Sequence, residues 1–311
     1  MADTFAVIGS GFGLYGYLPA LASSGKKVIL PRRYQARLEA RAELAGFVPA
    51  VRWARDETEA LANADGAVIA LRSEDQPLWI ARCIANDRIA QVLLEKPLAP
   101  NPAAGARLIA DLLRAKTTFR IAYIFRQTPW GKALLEALLH ARSGAATLQW
   151  RFTAHHFVHD LRNWKRFHAQ GGGAIRFFGI HAIALLAELG YERVERSDAT
   201  GASADEVDRW SAVFVGSNRP DFHLLIESRS AEKEFSVRCN SDTKTEEVSF
   251  AMRDPFCALG DAKSNLDRRI PILREVLQSL SDGNARWVEL YERTNSLWRE
   301  VEERTMIKGT G

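Results

Sequence analysis

The chain has few cysteines and no long apolar run. Only three cysteines occur in 311 residues, and Cys83, Cys239 and Cys257 lie far apart and form no CxxC pair. This spacing argues against a disulfide framework and against a zinc knuckle, and it suits a reducing compartment. No stretch approaches the roughly 20 consecutive apolar residues that a membrane-spanning helix needs. We therefore expect no membrane partner.

The sequence also lacks a strong excess of charge and a leader-like start. It has 42 Lys and Arg residues against 38 Asp and Glu residues, a formal net charge of +4, and no basic block interleaved with aromatic side chains. Nucleic acid is therefore not an expected partner. A strand-like run follows Met1 without the basic and apolar regions of a signal peptide, so we expect a cytoplasmic protein.

Chain length and the order of apolar segments predict two domains. A single hydrophobic core stops growing at roughly 250 to 300 residues. In the first third, short apolar runs at 5–8, 27–30, 66–71 and 90–94 alternate with helix-like segments, which predicts parallel strands joined by crossover helices. After about residue 125, longer strand-like runs surround one helix near 174–189.

The predicted fold class is therefore α/β. Residues 1–124 are expected to form a Rossmann domain with a doubly wound parallel sheet. Residues 125–311 are expected to form an α+β domain with an open, mostly antiparallel sheet.

Four glycines in residues 5–21 (FAVIGSGFGLYGYLPAL) allow two registers of a phosphate-binding turn. A dinucleotide cradle must follow its strand directly, and the predicted strand ends at Ile8. Gly9 and Gly11 therefore take the first two glycine roles, whereas Gly11-x-Gly13-x-x-Gly16 starts too late. The alternative is an ordinary glycine-rich turn. The residues of this turn that we predict to contact a cofactor are Gly9, Gly11, Phe12, Gly13 and Leu14.

The end of the second predicted strand reads Pro31-Arg32-Arg33. An Asp or Glu at this place would bind the adenosine ribose hydroxyls, and none is present. Two guanidinium groups suit a 2′-phosphate, so NADP is favoured over NAD as the cofactor. The alternative is that Arg32 and Arg33 form only a solvated helix entry.

A lysine stands at the carboxyl end of a later buried strand, in VLLEKPL (92–98). Open α/β sheets bind ligands at this edge, and Pro97 restricts the backbone of Lys96 to extended conformations. We predict that Glu95 and Lys96, with Leu71 at the end of the preceding strand, line the cofactor site. The alternative for Lys96 is a surface lysine.

This arrangement resembles the Gfo/Idh/MocA family of NAD(P)-dependent oxidoreductases. The resemblance spans nearly the whole chain and rests on four segments: GSGFGLYGYLPAL, EKPLA, YIFRQTP (123–129) and NWKRFHAQGGGAIRFFGIHAIALL (163–186). It implies hydride transfer between the nicotinamide and a sugar-like substrate, such as a keto-sugar, a polyol or a nucleotide-linked sugar. It also implies a homodimer or homotetramer formed through the open sheet.

The resemblance further implies which residues act in catalysis. Lys96 and His181 take the catalytic positions, and Phe177 stands where the family has an aspartate, four residues before the histidine. His181 is then a proton donor or acceptor, a hydrogen-bonding partner of the substrate, or a core histidine. The predicted substrate-binding residues are Tyr123, Arg126, Trp164, Lys165 and His181.

Five of the seven histidines fall within one short part of the chain: His155, His156, His159, His168 and His181. The strand-like alternation around the first two predicts that His155 and His156 point to opposite sides, which argues against a metal site. We expect no metal, and interpret some of these groups, with Arg162, as the lining of a polar pocket.

Two other functions remain compatible with the sequence. A non-catalytic sensor or scaffold would keep the fold and bind a dinucleotide or sugar, with Phe177 marking the lost carboxylate. A reductase of a non-sugar group, such as an imine, would not need that carboxylate.

Overall fold

The computed structural model describes residues 2–115, 117–141, 143–240, 248–256 and 265–309. Cys257, one of the three cysteines, lies outside these ranges. Contacts divide the chain into two compact units. The first comprises Met1–Ala99, Arg107–Ile124 and Leu259–Trp287, and the second comprises Pro100–Ala106, Phe125–Ala258 and Val288–Gly311. The domain boundary at residue 124 stays a prediction, and the contacts assign part of the C-terminal region to the first unit.

The first unit contains a sheet of six parallel strands. The predicted doubly wound parallel sheet is confirmed, although the sequence predicts only four of its strands. The six strands are β1 (Thr4–Ile8), β2 (Lys27–Pro31), β3 (Val51–Ala54), β4 (Gly66–Ile69), β5 (Gln91–Leu94) and β6 (Thr118–Ile121). Their order is β3-β2-β1-β4-β5-β6, and every neighbouring pair is parallel. The chain reverses its direction of winding between β1 and β4, the place where open α/β sheets bind ligands beyond the carboxyl ends of the strands.

The crossover segments between these strands are short helices. They are α1 (Leu18–Ser23), α2 (Gln35–Glu39), α3 (Glu57–Ala62), α4 (Gln76–Ile84) and α5 (Pro102–Arg114). A π-helical turn at Gly13–Tyr17 precedes α1. After α2, the extended backbone of Arg41 interrupts the helix, and a 3-10 segment follows at Ala42–Ala50. The start of α5 has an N-cap, since the Asn101 side chain accepts a hydrogen bond from Ala104 N at 2.9 Å.

The second unit contains a seven-stranded sheet. Its strands are β7 (Ala145–Thr153), β8 (Arg193–Gly201), β9 (Val207–Val215), β10 (Asp221–Glu227), β11 (Arg229–Asn240), β12 (Val248–Met252) and β13 (Thr305–Gly309). Their order is β12-β11-β7-β10-β9-β8-β13. Two neighbouring pairs, β7 with β10 and β8 with β13, are parallel, and the other four are antiparallel. The prediction of a mostly antiparallel sheet is confirmed.

Five further α-helices follow α5 in the described residues. They are α6 (Pro129–His140), α7 (His155–Val158), α8 (Ile180–Glu188), α9 (Ile270–Gln278) and α10 (Ala285–Arg304). Within the first unit, α9 packs on α1. Among the described residues, no helix combines the length and the apolar character that crossing a bilayer requires.

The fully buried Arg120 ties the C-terminal segment to the sheet of the first unit. Its guanidinium donates hydrogen bonds to the carbonyl oxygens of Ser279 and Gly283, the latter at 2.6 Å. It also lies 4.5 Å from the ring centre of Trp287. These contacts hold the turn after α9 against β6.

Candidate functional site

The glycine turn begins directly after β1. Gly9 has a φ of +129°, and a Cβ at this position would overlap the carbonyl oxygen of Ala70 after β4. A Cβ at Gly13 would lie 3.0 Å from Cγ1 of Val7, so Gly13 allows the helical segment to pack closely on β1. Gly9 thus fits the tight turn that the first register assigns to it, and Gly13 lies where a larger residue would crowd β1. A side chain at Gly16 would instead overlap the ring of Phe12.

The backbone of the turn is anchored by a tyrosine that sequence analysis missed. Gly9 N donates a hydrogen bond to the Tyr34 hydroxyl at 3.1 Å. Burial and the hydrogen bond with Glu57 raise the pKa of Tyr34 to about 12, so the phenol stays neutral. Tyr34 therefore links the end of β1 to the segment after β2.

The two arginines after β2 differ in their contacts. Arg33 forms an ion pair with Glu57, whose side chain is only 10% exposed. This hydrogen bond is the main reason why the pKa of Arg33 is raised. Arg32 is exposed, and its side chain makes no hydrogen bond or ion pair with any residue of the described ranges. Arg32 is therefore the guanidinium more readily available to a ligand at this edge.

The sheet brings other predicted residues to the edge that carries the glycine turn. Ala70 N donates to the carbonyl oxygen of Ile8 at 2.8 Å, and Glu95 N donates to that of Ile69 at 3.1 Å. The carboxyl ends of β1, β4 and β5 therefore lie side by side. Leu71, Glu95 and Lys96 follow directly from these strand ends, as the sequence predicts.

Glu95 is held by a second tyrosine. The fully buried Tyr17 donates a hydrogen bond from its hydroxyl to Oε1 of Glu95 at 2.5 Å, and Lys96 N donates to Oε2 at 3.2 Å. Burial raises the pKa of the Glu95 carboxyl, although Lys96 and Tyr17 act in the opposite direction. The neighbouring Lys96 is half-buried, and a cis peptide bond joins it to Pro97. The carbonyl oxygen of Pro97 accepts a hydrogen bond from Gln76 Nε2 at 2.8 Å.

A cation from the C-terminal region lies against the glycine turn. The guanidinium of Arg269 is 4.1 Å from the ring centre of Phe12, and Phe12 packs edge-on against Tyr15 and Tyr17 at 5.2 and 5.1 Å. We call Phe12, Tyr15 and Tyr17 the aromatic ledge. Sequence analysis missed Arg269 because no local pattern connects the start of α9 with the first strand.

In the second unit, a glycine turn positions the segment that contains Trp164 and Lys165. Gly173 N donates to the Lys165 carbonyl oxygen at 2.8 Å, and Gly173 has a φ of +76°. A Cβ at Gly172 would overlap the carbonyl oxygen of Trp164. The run of three glycines therefore lets two backbone segments approach closely.

The helix that carries Phe177 and His181 is irregular. Residues Ala174–Gly179 form a π-helical stretch and α8 begins at Ile180, so the predicted one-turn spacing of a regular helix does not apply. The Phe177 ring lies 5.3 Å from Trp164 and 5.4 Å from Nζ of Lys165. His181 is 5% exposed and stacks on Phe125 at 5.0 Å.

The other predicted substrate residues are distributed over both units. Tyr123 belongs to the first unit and is buried. Arg126 belongs to the second unit and forms a two-point ion pair with Glu188, with Nε–Oε2 and Nη2–Oε1 distances of 2.7 Å. The guanidinium of Arg126 is thus already engaged by a carboxylate.

The histidine-rich segment differs from its prediction. His155 begins α7, so His155 and His159 lie one helical turn apart and their ring centres are 4.4 Å apart. The predicted strand across His155 and His156 is wrong because β7 ends at Thr153. Burial, with nearby Lys165 and other cations, lowers the pKa of His156 to about 4. The described part of the chain contains no group of three potential metal ligands.

Comparisons with known proteins identify the fold. No family model and no curated protein sequence matches the chain. The structure is similar to GenD2 from gentamicin A biosynthesis in complex with NAD, with a TM-score of 0.69 and 19% identity over 96% of this chain and 94% of that one. It is also similar to KijD10, a 3-ketoreductase from Actinomadura kijaniata in complex with NADP and TDP-benzene, with a TM-score of 0.70 and 16% identity over 99% of both chains.

A third similar structure is the WlbA dehydrogenase from Bordetella pertussis in complex with NADH and UDP-GlcNAcA. The TM-score is 0.69, with 17% identity over 96% of this chain and 95% of that one. These three comparisons show that the chain has the two-sheet fold of these proteins over nearly its whole length.

Proposed function

We propose that the chain is an NAD(P)-dependent oxidoreductase of the Gfo/Idh/MocA family that acts on a sugar-like substrate. The observation that carries this proposal is the carboxyl edge of the first sheet, where the glycine turn, Leu71, Glu95 and Lys96 follow neighbouring strand ends. The proteins of similar fold were crystallised with NAD, NADP or NADH. The 3-ketoreductase KijD10 and the UDP-GlcNAcA bound to WlbA support a keto-sugar, a polyol or a nucleotide-linked sugar as the substrate.

The residues present fit a dinucleotide. Gly9 leaves no room for a side chain against Ala70, so the backbone itself forms the floor of the turn. Gly11 has open space where a Cβ would stand, which allows a phosphate to approach the backbone. Arg32 is placed after β2, where a 2′-phosphate would be recognised, and this supports NADP over NAD. The bound nicotinamide would supply or accept the hydride.

Lys96 is the proposed catalytic cation. Hydride transfer creates or consumes an alkoxide on the substrate, and an ammonium group stabilises that charge and carries the accompanying proton. In this proposal His181, Trp164 and Lys165 bind the substrate, and Tyr123 and Arg126 assist. Residue 177 supplies no carboxylate to His181, so we assign the proton at the substrate oxygen to Lys96.

Replacing the lysine tests this assignment. We expect Lys96→Ala to abolish NADPH consumption with a panel of keto-sugars, while NADPH still binds, because the glycine turn is unchanged. Lys27→Ala is the control, since Lys27 is exposed at the start of β2 and pairs only weakly with Asp3 at 3.6 Å. Unchanged turnover in the Lys96 variant would refute the role.

A second candidate function rests on Phe177. A protein that binds a dinucleotide or sugar without turnover would tolerate a phenyl ring where the family has a carboxylate. Tight NADPH binding with no turnover of keto-sugars, polyols or imines would favour this sensor or scaffold. Turnover of imines alone would favour the reductase of a non-sugar group.

We also propose that the protein is cytoplasmic and forms a homodimer or homotetramer through the second sheet. The sheet has seven strands in an open arrangement. An open sheet face of this size is commonly covered by another element or another chain. Light scattering of the purified protein gives the number of chains directly.

A further inference from the structure

A cavity of about 400 Å³ lies in the first unit, at the end of the sheet opposite to the glycine turn. Its lining includes residues from the start of β1, from the start of β5 and from α9, whereas the glycine turn and Lys96 lie beyond the carboxyl ends of β1 and β5. The volume is within the range of about 300–1,000 Å³ that is usual for small-molecule pockets. We call this cavity, which is lined among others by Phe5, Lys26, Gln91, Arg274, Leu277 and Gln278, the amino-edge cavity.

Burial and hydrogen bonds fix the floor of the amino-edge cavity. Phe5 and Leu277 are buried apolar side chains. The buried Gln91 accepts a hydrogen bond from Ala2 N at 3.0 Å, and its Nε2 donates to the Leu280 carbonyl oxygen at 3.2 Å. The two helices beside the cavity, α1 and α9, pack on each other. The floor is therefore formed before any ligand binds, and it is mainly apolar.

The rim of the cavity carries two cations. Arg274 and Gln278 stand four residues apart on α9, so they share one face of the helix. Both side chains are exposed, and neither makes a hydrogen bond or ion pair with another described residue. Lys26 donates from Nζ to the Ala2 carbonyl oxygen at 2.8 Å, which uses one of its three N–H donors. Among the described residues that line the cavity, none is Asp or Glu.

The groups that oppose an anion at the rim are weaker than the groups that favour it. Asp282 adjoins the rim, because the lining residue Ser281 donates a hydrogen bond to its Oδ1 at 3.1 Å. The two cations of the rim outnumber this carboxylate. At the end of α1, the carbonyl oxygens of Leu21 and Ala22 already accept backbone hydrogen bonds, so they repel an anion only weakly.

We propose that the amino-edge cavity binds a small organic anion. The apolar body of this ligand packs on Phe5 and Leu277. Its carboxylate or phosphate group is held by Arg274, Lys26 and Gln278, because a guanidinium binds two oxygens of such a group through parallel hydrogen bonds and the other two side chains add donors. The cavity and the glycine turn lie at opposite ends of the sheet, so this ligand and a dinucleotide bind together. The inference goes beyond the proposed oxidoreductase function and does not depend on it.

Calorimetric titration with small ring compounds tests the proposal. Phenyl phosphate and benzoate each carry one anionic group on a ring, and benzyl alcohol is their neutral counterpart. We expect the wild-type chain to bind at least one of the two anions with a Kd of about 1 mM or lower, and to bind benzyl alcohol at least about tenfold more weakly. The anion that binds more tightly identifies the ligand group as a phosphate or a carboxylate.

Variants of two exposed arginines locate the binding site. We expect Arg274→Ala and Arg274→Gln to weaken anion binding by about tenfold or more, because each removes a charged hydrogen-bond donor. The glutamine keeps most of the side chain and thus separates the loss of charge from the loss of packing. Arg32→Ala is the matched control, since Arg32 is also exposed and its side chain has no described partner, but it follows the carboxyl end of β2. This control should change the affinity for the anion by less than about twofold.

Four results would each overturn the inference. They are the absence of binding of either anion up to about 10 mM, equal affinities for the anions and benzyl alcohol, a loss in Arg32→Ala as large as that in Arg274→Ala, and displacement of the anion by saturating NADPH. If the wild-type chain binds no NADPH, the proposed function fails, and the titrations with the ring compounds still decide this inference because they contain no dinucleotide.

Discussion

Replacing each arginine after β2 separately tests the proposed preference for NADP over NAD. Arg32 is exposed, and its side chain makes no hydrogen bond or ion pair within the described residues. Arg33 is paired with Glu57 and lies 5.3 Å from the ring centre of Tyr34. We expect Arg32→Ala to lose most of the preference for NADPH and Arg33→Ala to lose little of it.

The structure sets the size of the expected effect. A hydrogen bond to a charged group contributes about 1.5–3 kcal/mol, and exposure to water favours the lower part of this range. A loss of about 2 kcal/mol in Arg32→Ala corresponds to roughly 30-fold weaker NADPH binding. NADH lacks the 2′-phosphate, so its affinity should change by less than about twofold. For Arg33→Ala we expect a change of no more than about fivefold, because its charge is already balanced by Glu57.

Fluorescence titration of both variants with NADPH and NADH measures these changes, at about 0.1 M salt where Debye screening acts over about 10 Å. An equal loss of NADPH and NADH affinity in Arg32→Ala would show a general effect on the site rather than recognition of the 2′-phosphate. A larger NADPH loss in Arg33→Ala than in Arg32→Ala would show that the pair with Glu57 opens when the ligand binds. Either result contradicts the reasoning.

Two further predictions concern stability. Burial acts to raise the pKa of Glu302, but His168 and Arg176 outweigh it and lower that pKa to about 2. The ionised carboxylate therefore stabilises the fold by about 3 kcal/mol above pH 4.5, and this stabilisation is lost as the pH falls towards 2. In urea unfolding, Glu302→Gln should lower the free energy of unfolding at pH 6 and lower it less at pH 3, whereas the exposed Glu303→Gln should not change it. Arg120→Met leaves buried carbonyl oxygens without donors and should lower the free energy of unfolding by about 3 kcal/mol, whereas the exposed Arg114→Met changes it by less than about 0.5 kcal/mol. Equal stability of the Arg120 and Arg114 variants would contradict the second argument.

The sequence predicts the first sheet well because its signals are local. Strands buried on both faces appear as short apolar runs, and the end of β1 at Ile8 decides the glycine register. The same holds for α5, where Asn101 and Pro102 mark the helix start. The positions of Gly9, Leu71 and Lys96 at one edge then follow from parallel strand order alone.

The missed features depend on contacts between distant segments. Arg269 and Tyr34 reach the glycine turn through tertiary packing, and no spacing in the sequence connects them with it. The alternation that predicts a strand through His155 fails because the chain turns into α7 after Thr153. Phe177 lies in a π-helical stretch, whose wider turn a four-residue spacing rule does not describe.

The surroundings of Phe177 bear on the proposed roles of His181 and Lys165. Its ring packs edge-on against Trp164, and the Lys165 ammonium lies 5.4 Å from the ring centre in a cation–π contact. The carboxylate of an aspartate at this position would form a direct ion pair with that ammonium instead. A phenyl ring accepts no proton, and His181 stacks on Phe125 in a buried site. The only proton carrier in the proposal that does not depend on residue 177 is Lys96, which is why turnover without Lys96 is the result that this account could not accommodate.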